Sequence, residues 1–401
     1  MSKNDRSDDI LIVVEAEKKS DPKPDAPAGQ TCPPEPPKVK PQSRKRIILR
    51  TVFLVIISAV SIGIMLVLSE KLSAESSKTL GEIFGDMNVS YFVLAIGIWG
   101  LMMLLDATKF FLVGRVAVGR ASVLTSFKVA FLGKYYDNIV PFSAGEPFQI
   151  VYLNKKGYSG GQSSAIVLIK FFVQMFAWLL VSASLMIFCR GALDELGGGL
   201  ATTLKVGAWI GFAFTATPPM TILMFIFFPK IAYKLISGVA WLAHKLKIIK
   251  DKEKLINRAT KITNDFMCCL SIISKRPLYF ALLILICFIE PIVTLSFPYF
   301  LVVSFAHVTP SFATLLQVMA LNIFAMYSVV ITPTPGNSGF IETTFTLAFS
   351  GIASSVLFGV TFTWRFFTYY FYILVGLGIS IFEIVRNIIR VKRQRKHEEK
   401  L

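Results

Sequence analysis

Long apolar stretches separated by shorter polar ones make up most of this chain of 401 residues. A helix of about 20 apolar residues crosses the hydrocarbon core of a bilayer, and most of these stretches reach that length. The predicted membrane helices lie near residues 47–68, 91–113, 123–140, 163–188, 206–228, 278–304, 311–331 and 353–386. The pattern therefore predicts an all-α polytopic membrane protein with about eight transmembrane or re-entrant elements.

Proline and glycine interrupt two of these apolar regions, and a glutamate follows each interruption. The breaking residues are Pro141 and Gly145 in the first region and Pro333, Pro335, Gly336 and Gly339 in the second. Glu146 and Glu342 are the glutamates that follow. Proline ends a helix and glycine permits irregular backbone, which lipid tolerates only where protein or water satisfies it. Two such breaks predict broken helices in an internal repeat, an arrangement in which transporters build their sites.

Several polar side chains fall within or beside apolar sequence. Inserting an ionised group into the membrane there costs about 2.5–3.5 kcal/mol unless the group is paired or in contact with water. The predicted substrate-binding residues are Asn138, Glu146, Lys170, Glu342 and Arg365. From their chemistry, Arg365 and Lys170 are suited to pair with a phosphate or with one of the acids. Two alternatives stay open. These groups could instead pair with each other and lock the fold, and Lys170 could simply reach the membrane surface.

Asp106 and Lys109 lie three residues apart near the end of the predicted span 91–113. That spacing puts both side chains on one helix face. Because long charged side chains at the end of a span can reach the interface, we expect this pair to be interfacial.

Composition and charge favour a membrane over nucleic acid as the partner. The chain is 54% hydrophobic and carries a formal charge of +17. Its basic residues cluster beside apolar spans, which predicts contact with anionic inner-leaflet lipids rather than with nucleic acid. The clusters at 44–50 and 386–400 predict a multi-pass protein of the cell membrane with both termini in the cytoplasm. The scattered cysteines and histidines predict no metal site and no cofactor.

The chain divides into a membrane domain and two tails. Residues 1–43 are rich in proline and charge, which predicts a disordered cytoplasmic tail. Residues 44–390 form the predicted membrane domain, and residues 391–401 form a basic cytoplasmic tail. Within the domain, residues 229–277 combine many lysines with helically spaced apolar residues, which predicts amphipathic helices on the inner leaflet.

The second break carries a recognisable motif. The run Pro-Thr-Pro-Gly-Asn-Ser-Gly-Phe-Ile-Glu that ends at Glu342 resembles the Pro-Thr-Pro-Gly-Gly-x-Gly-x-x-Glu signature of the lysylphosphatidylglycerol synthase transmembrane family. Asn138, Pro141, Gly145 and Glu146 are similar to the first motif of that family, and Arg365 to its late arginine. The chain departs from the pattern at Asn337, where a second glycine is usual, and at Ser143 and Lys170, where arginines are expected. The resemblance covers about residues 44–390.

In two-part members of this family, the membrane region moves an aminoacylated lipid that a separate soluble domain synthesises. The resemblance covers only the membrane region, so it implies a lipid flippase or scramblase whose substrate is a membrane phospholipid. Two other functions stay open. One is an integral-membrane transferase that acts on a lipid, and the other is a membrane partner of a separate soluble synthase. Assembly into a homo-oligomer is also left open.

Overall fold

The computed structural model describes residues 80–140, 145–194, 196–228 and 271–376, with scattered positions within 56–67, 230–241, 257 and 378–379. Every regular element in this described part is helical, as predicted. The predicted span 47–68, the segment 229–277, the two tails and Pro141 lie wholly or mostly outside the described residues.

Ten α-helices follow one another in the described part. They are α1 (Leu80–Gly85), α2 (Val89–Val118), α3 (Val123–Ile139), α4 (Gly145–Lys155), α5 (Gly160–Phe188), α6 (Gly198–Phe227), α7 (Pro277–Ala306), α8 (Phe312–Ser328), α9 (Phe340–Ala353) and α10 (Leu357–Arg365). Short 3₁₀ turns at Arg190–Leu193, Pro335–Asn337 and Ser354–Val356 connect some of them, and a π-helical turn at Phe366–Tyr370 follows α10.

Small polar residues set the starts of several helices. The side chain of Asn88 accepts backbone N–H groups at the start of α2, and Ser122 and Ser311 do the same for α3 and α8. Ser159 and Gln162 form a reciprocal capping box at the start of α5. These side chains satisfy backbone donors that have no partner within the helix.

Five described stretches are long and apolar enough to cross a membrane. They are Val89–Val118, Gly160–Phe188, Gly198–Met224, Pro277–Ala306 and the interrupted stretch Pro335–Gly376. A multi-pass membrane protein is therefore supported by length and composition. The count of about eight elements and the internal repeat stay predictions.

The helices α2 and α7 run antiparallel through the centre of the described part. The backbone N–H of Asn88 at the start of α2 donates to the carbonyl of Ser304 near the end of α7, over 2.8 Å. The Ser304 hydroxyl returns a bond of 2.9 Å to the Asn88 carbonyl. The start of α7 therefore lies at the end of the bundle where α2 ends.

Two helical hairpins enter this bundle from opposite ends. The 17-residue α3 follows the end of α2 and packs against the 11-residue α4. The 17-residue α8 follows the end of α7 and packs against the 14-residue α9. Because α2 and α7 are antiparallel, α3 and α8 start at opposite ends. Each hairpin turns at one of the predicted interruptions, which we name break 1 (residues 140–145) and break 2 (residues 329–339).

One boundary differs from the sequence-based expectation. Gly351 lies just before the predicted span 353–386 and predicts a helix end there, but α9 continues through it to Ala353 and the interruption falls at Ser354–Val356. A single glycine costs a helix only about 1 kcal/mol, so helix packing can override it.

Candidate functional site

Break 2 is built from residues that tolerate unusual backbone angles. Gly336 and Gly339 have φ values of 56° and 88°, and Asn337 has a φ of 55°. Asparagine is among the few residues other than glycine that adopt the left-handed region readily. Asn337 can therefore stand where the resembling family usually has a second glycine.

Glu342 and Arg365 form a closed ion pair at break 2. The Arg365 Nε atom lies 2.5 Å from Glu342 Oε1, and the two residues are 4% and 0% exposed. The second carboxylate oxygen, Oε2, accepts the backbone N–H of Gly339 over 2.6 Å. Glu342 therefore caps α9 and pairs with α10 at the same time.

The remaining donors of Arg365 hold the irregular backbone of break 2. Its Nη2 atom donates to the Gly336 carbonyl and to the Ser338 hydroxyl, each over 2.8 Å. The guanidinium carbon also lies 4.0 Å from the centre of the Tyr369 ring. A planar guanidinium can satisfy several acceptors at once, which explains how one side chain organises this loop.

The π-helical turn after α10 brings the two breaks together. Its widened hydrogen-bonding pattern leaves carbonyls available to side chains from other helices. Trp99 Nε1 on α2 donates to the Phe367 carbonyl over 3.0 Å, and Asn138 Nδ2 on α3 donates to the Thr368 carbonyl over 3.3 Å. The Asn138 carbonyl also lies 3.4 Å from where a Cβ on Gly336 would stand. The tips of the two hairpins thus meet at Asn138.

At break 1, a carboxylate and close backbone packing join α3 to the start of α4. The backbone N–H of Gly145 donates to Asp137 Oδ1 over 2.8 Å, which caps α4 from α3. A Cβ on Gly145 would lie 2.6 Å from the Gly133 carbonyl oxygen and 2.7 Å from Asp137 Oδ1. Only glycine fits at this position without moving the backbone of α3.

A second polar group lies near the middle of three long helices. Lys109 Nζ on α2 lies 3.1 Å from Asp106 Oδ1, and Lys170 Nζ on α5 lies 3.3 Å from the same oxygen. Lys109 also reaches Glu290 Oε2 on α7 at 3.6 Å. Gln174 on α5 links the two, because it accepts from Lys109 over 2.5 Å and donates to Glu290.

The expectation that Asp106 and Lys109 form an interfacial pair is wrong. Their side chains are 2% and 1% exposed. The helix α2 continues to Val118, five residues beyond the predicted end of the span at 113, so the pair lies well before the end of the helix. Lys170 Nζ likewise contacts a carboxylate inside the bundle, that of Asp106.

The side of this group that faces break 1 is more exposed and less completely paired. Lys134, Asp137 and Glu146 are half-buried. Lys134 lies within electrostatic reach of the other two and of Asp106 and Glu290. Among the described residues, neither Lys134 nor Glu146 forms an ion pair. We name the four acids Asp106, Asp137, Glu146 and Glu290 and the three lysines Lys109, Lys134 and Lys170 the mid-helix charge cluster.

The predicted site residues therefore fall into two places. Glu342 and Arg365 pair at break 2, Glu146 and Lys170 belong to the charge cluster, and Asn138 lies between them. Sequence reasoning did not assign the rest of the cluster to the site. The signal was available, because Glu290 precedes a proline in the middle of a strongly apolar span. In the described part, no group of three or more His, Cys, Asp or Glu side chains is placed to hold a metal ion.

Comparison with known families agrees with this architecture. The sequence profile described as the lysylphosphatidylglycerol synthase TM region matches residues 52–376 of the 401-residue chain. The matched region contains both breaks and the whole charge cluster. A search of curated proteins gives no match. The chain belongs to the family of lysylphosphatidylglycerol synthase transmembrane regions.

Proposed function

We propose that this protein moves a phospholipid, or another lipid-linked substrate, between the two leaflets of its membrane. The observation that carries this proposal is the mid-helix charge cluster. Three long apolar helices each place charged side chains near their middle, and the edge of the cluster at break 1 is half-buried rather than closed. Ionisable groups at this depth are costly and are typical of substrate or ion pathways.

The open edge of the cluster offers both signs of charge to a lipid headgroup. Lys134 and Lys170 can attract the phosphate that every phospholipid carries. Asp137 and Glu146 can attract an ammonium group, including that of an aminoacylated headgroup, which is the substrate class suggested by the name of the family. Asn138, next to Asp137, supplies a neutral polar contact between the two breaks.

Glu342 and Arg365 remain predicted binding residues under one condition. Each is the other's partner at break 2, so either can bind a headgroup only if the pair separates during transport. Without that separation, the pair acts by holding break 2 in place. The stability measurements in the Discussion distinguish these roles.

The two hairpins support an alternating-access mechanism. They enter from opposite ends and meet at Asn138, which is the geometry expected of two inverted halves with a site between them. A movement of one hairpin against the other would open the region between the breaks to each leaflet in turn.

Basic residues support a cytoplasmic orientation for one end of the bundle. Arg115 and Arg120 lie at the end of α2, and Lys275 and Arg276 precede α7 at the same end. Positively charged loops favour the cytoplasmic side, which agrees with cytoplasmic termini and a location in the cell membrane.

Lipid exchange in proteoliposomes tests the proposal. Purified protein would be reconstituted with labelled phospholipids, some of them aminoacylated, and compared with Lys170→Gln. A matched control is Lys205→Gln, which removes a lysine from an exposed ion pair with Asp194. We expect fast exchange that Lys170→Gln abolishes and Lys205→Gln preserves. Equal exchange in both variants, or none for any lipid with folded protein, would reject the proposal, and a newly formed lipid product would favour the transferase.

A further inference from the structure

The charges of the mid-helix charge cluster do not balance. It contains four acids and three lysines, so the fully ionised cluster carries one surplus negative charge. A surplus charge is strongly unfavourable where water is scarce, and an acid in such a place tends to take up a proton. One additional positive charge, such as a proton, would therefore make the cluster neutral.

The contacts of the four acids indicate which of them holds that proton. Asp106 lies beside two lysines, and Glu290 contacts Lys109 and Gln174. Asp137 accepts the backbone N–H of Gly145, a bond that favours its ionised form. Glu146 differs from the other three acids. Among the described residues, it forms no ion pair and accepts no hydrogen bond from a neighbouring helix.

The surroundings of Asp106 argue against Asp106 as the group that holds the proton. Its Oδ1 atom is shared by Lys109 and Lys170, and two cations this close favour the ionised carboxylate. Glu146 is half-buried and forms no such pair in the described part of the chain, so it is the better place for the proton.

We propose that Glu146 takes up and releases a proton, and that this step couples lipid movement to a proton gradient. The coupling to lipid movement, but not the proton site itself, rests on the proposed lipid transport. With the proton bound, Glu146 is neutral, and the start of α4 that carries it can enter an apolar surrounding at a lower cost. With the proton released to water on the other side, the ionised Glu146 is attracted to Lys134 and Lys170.

Groups on every neighbouring element set the charge around Glu146. Asp137 and Lys134 lie near it on α3, and Lys170 lies near it on α5. Tyr136 on α3 stacks instead on the Phe148 ring of α4. Behind them lie Asp106 and Lys109 on α2 and Glu290 and Cys287 on α7. The 3₁₀ turn of break 2, which packs against α3, contains no titratable side chain, and Arg365 beyond it is already paired with Glu342. A change in any of the cluster lysines should therefore shift the titration of Glu146.

Infrared spectroscopy of the purified protein tests the proton site without requiring transport. We expect the C=O band of a protonated carboxylic acid to disappear as pH rises and to be missing in Glu146→Gln. Asp194→Asn, which removes an exposed carboxylate outside the cluster, should keep the band, and Glu146→Asp should keep a titrating band at a shifted position. The inference is wrong if the protein shows no titrating carboxyl band, or if the band survives in Glu146→Gln. If Glu146→Gln does not fold, Glu146→Asp decides the question. A carboxyl band at the same position in Glu146→Asp as in the unaltered protein would reject the inference.

Transport under a pH gradient tests the coupling. With one proton per lipid, a gradient of one pH unit can maintain about a tenfold asymmetry of labelled lipid between leaflets. We expect the unaltered protein and Lys205→Gln to build up such an asymmetry, and Glu146→Gln not to. Rapid exchange that stays symmetric under the gradient would reject the coupling and leave the lipid function standing. Absence of exchange for every lipid would reject both the coupling and the proposed function, while the infrared result would still decide the proton site.

Discussion

The two breaks use the same local arrangement but differ in how fully their charges are paired. In both, a carboxylate accepts the backbone N–H of a glycine near the start of a helix. Asp137 accepts from Gly145 over 2.8 Å at break 1, and Glu342 accepts from Gly339 over 2.6 Å at break 2. Only at break 2 does the same carboxylate also bind an arginine. Among the described residues, the same local arrangement is therefore fully paired at break 2 and only partly paired beside break 1.

The difference follows from the chemistry of arginine and lysine. Arg365 spreads its charge over a planar group that reaches a carboxylate, a carbonyl and a hydroxyl at once. Lys134, near break 1, is a compact point charge with no ion pair in the described part. We infer that the pairing of Arg365 holds break 2 in place. The predictions below test that role.

The largest effect is expected for Arg365→Gln. It would leave Glu342 ionised and buried without its partner, and breaking a buried ion pair in this way typically costs about 3–5 kcal/mol. It would also release Gly336 and Ser338 from the donor that holds them. Thermal unfolding of the detergent-purified protein would measure the loss of stability.

The double variant Glu342→Gln with Arg365→Gln is the control for this prediction. Removing both charges leaves two neutral groups that can still form a hydrogen bond, so part of the lost stability should return. A single variant that is as stable as the unaltered protein but inactive would contradict the structural role. That result would instead support the binding role predicted for Arg365 and Glu342.

A smaller loss of stability is expected for Gly336→Ala. The added Cβ would lie about 2.7 Å from Tyr369 Cδ2, and overpacking of this kind costs about 1–3 kcal/mol. Left-handed backbone would add about 1–2 kcal/mol. Thermal unfolding should show a clear decrease in the unfolding temperature.

Gly119→Ala separates the two contributions. Gly119 also has positive φ, at 75°, but a Cβ there would meet nothing within 4 Å. It should therefore lose only the backbone part of the stability. Equal losses in the two glycine variants would show that the packing of Tyr369 against break 2 contributes nothing.

The helices and both interruptions followed from the sequence because their causes are local. Helix α3 begins at Val123, as predicted, and α9 starts at Phe340, directly after the second break. Proline, glycine and apolar run length act within a few residues, so a single sequence reveals them. The positive φ of Gly336 and Gly339 is a further local consequence.

The pairing of charges could not be predicted, because it depends on which helices become neighbours. Glu342 and Arg365 are 23 residues apart in the chain, and Gln174 and Glu290 are 116 apart. The position of Asp106 near mid-helix depended on α2 continuing past Arg115 to Val118. Sequence alone identified charged residues within the apolar spans but not their partners.

The smallest effect on stability is expected for Asn138→Ala, at the point where the two breaks meet. Its bond to the Thr368 carbonyl is long, at 3.3 Å, and an ordinary hydrogen bond contributes about 0.5–1.5 kcal/mol. Trp99→Phe removes the bond to the neighbouring Phe367 carbonyl and keeps an aromatic ring, so it is a matched control. Both variants should lose similar, small amounts of stability in thermal unfolding. If Asn138 also contacts the lipid, Asn138→Ala should slow lipid exchange far more than Trp99→Phe does. Equal slowing by the two variants would mean that Asn138 acts only by joining α3 to the π-helical turn.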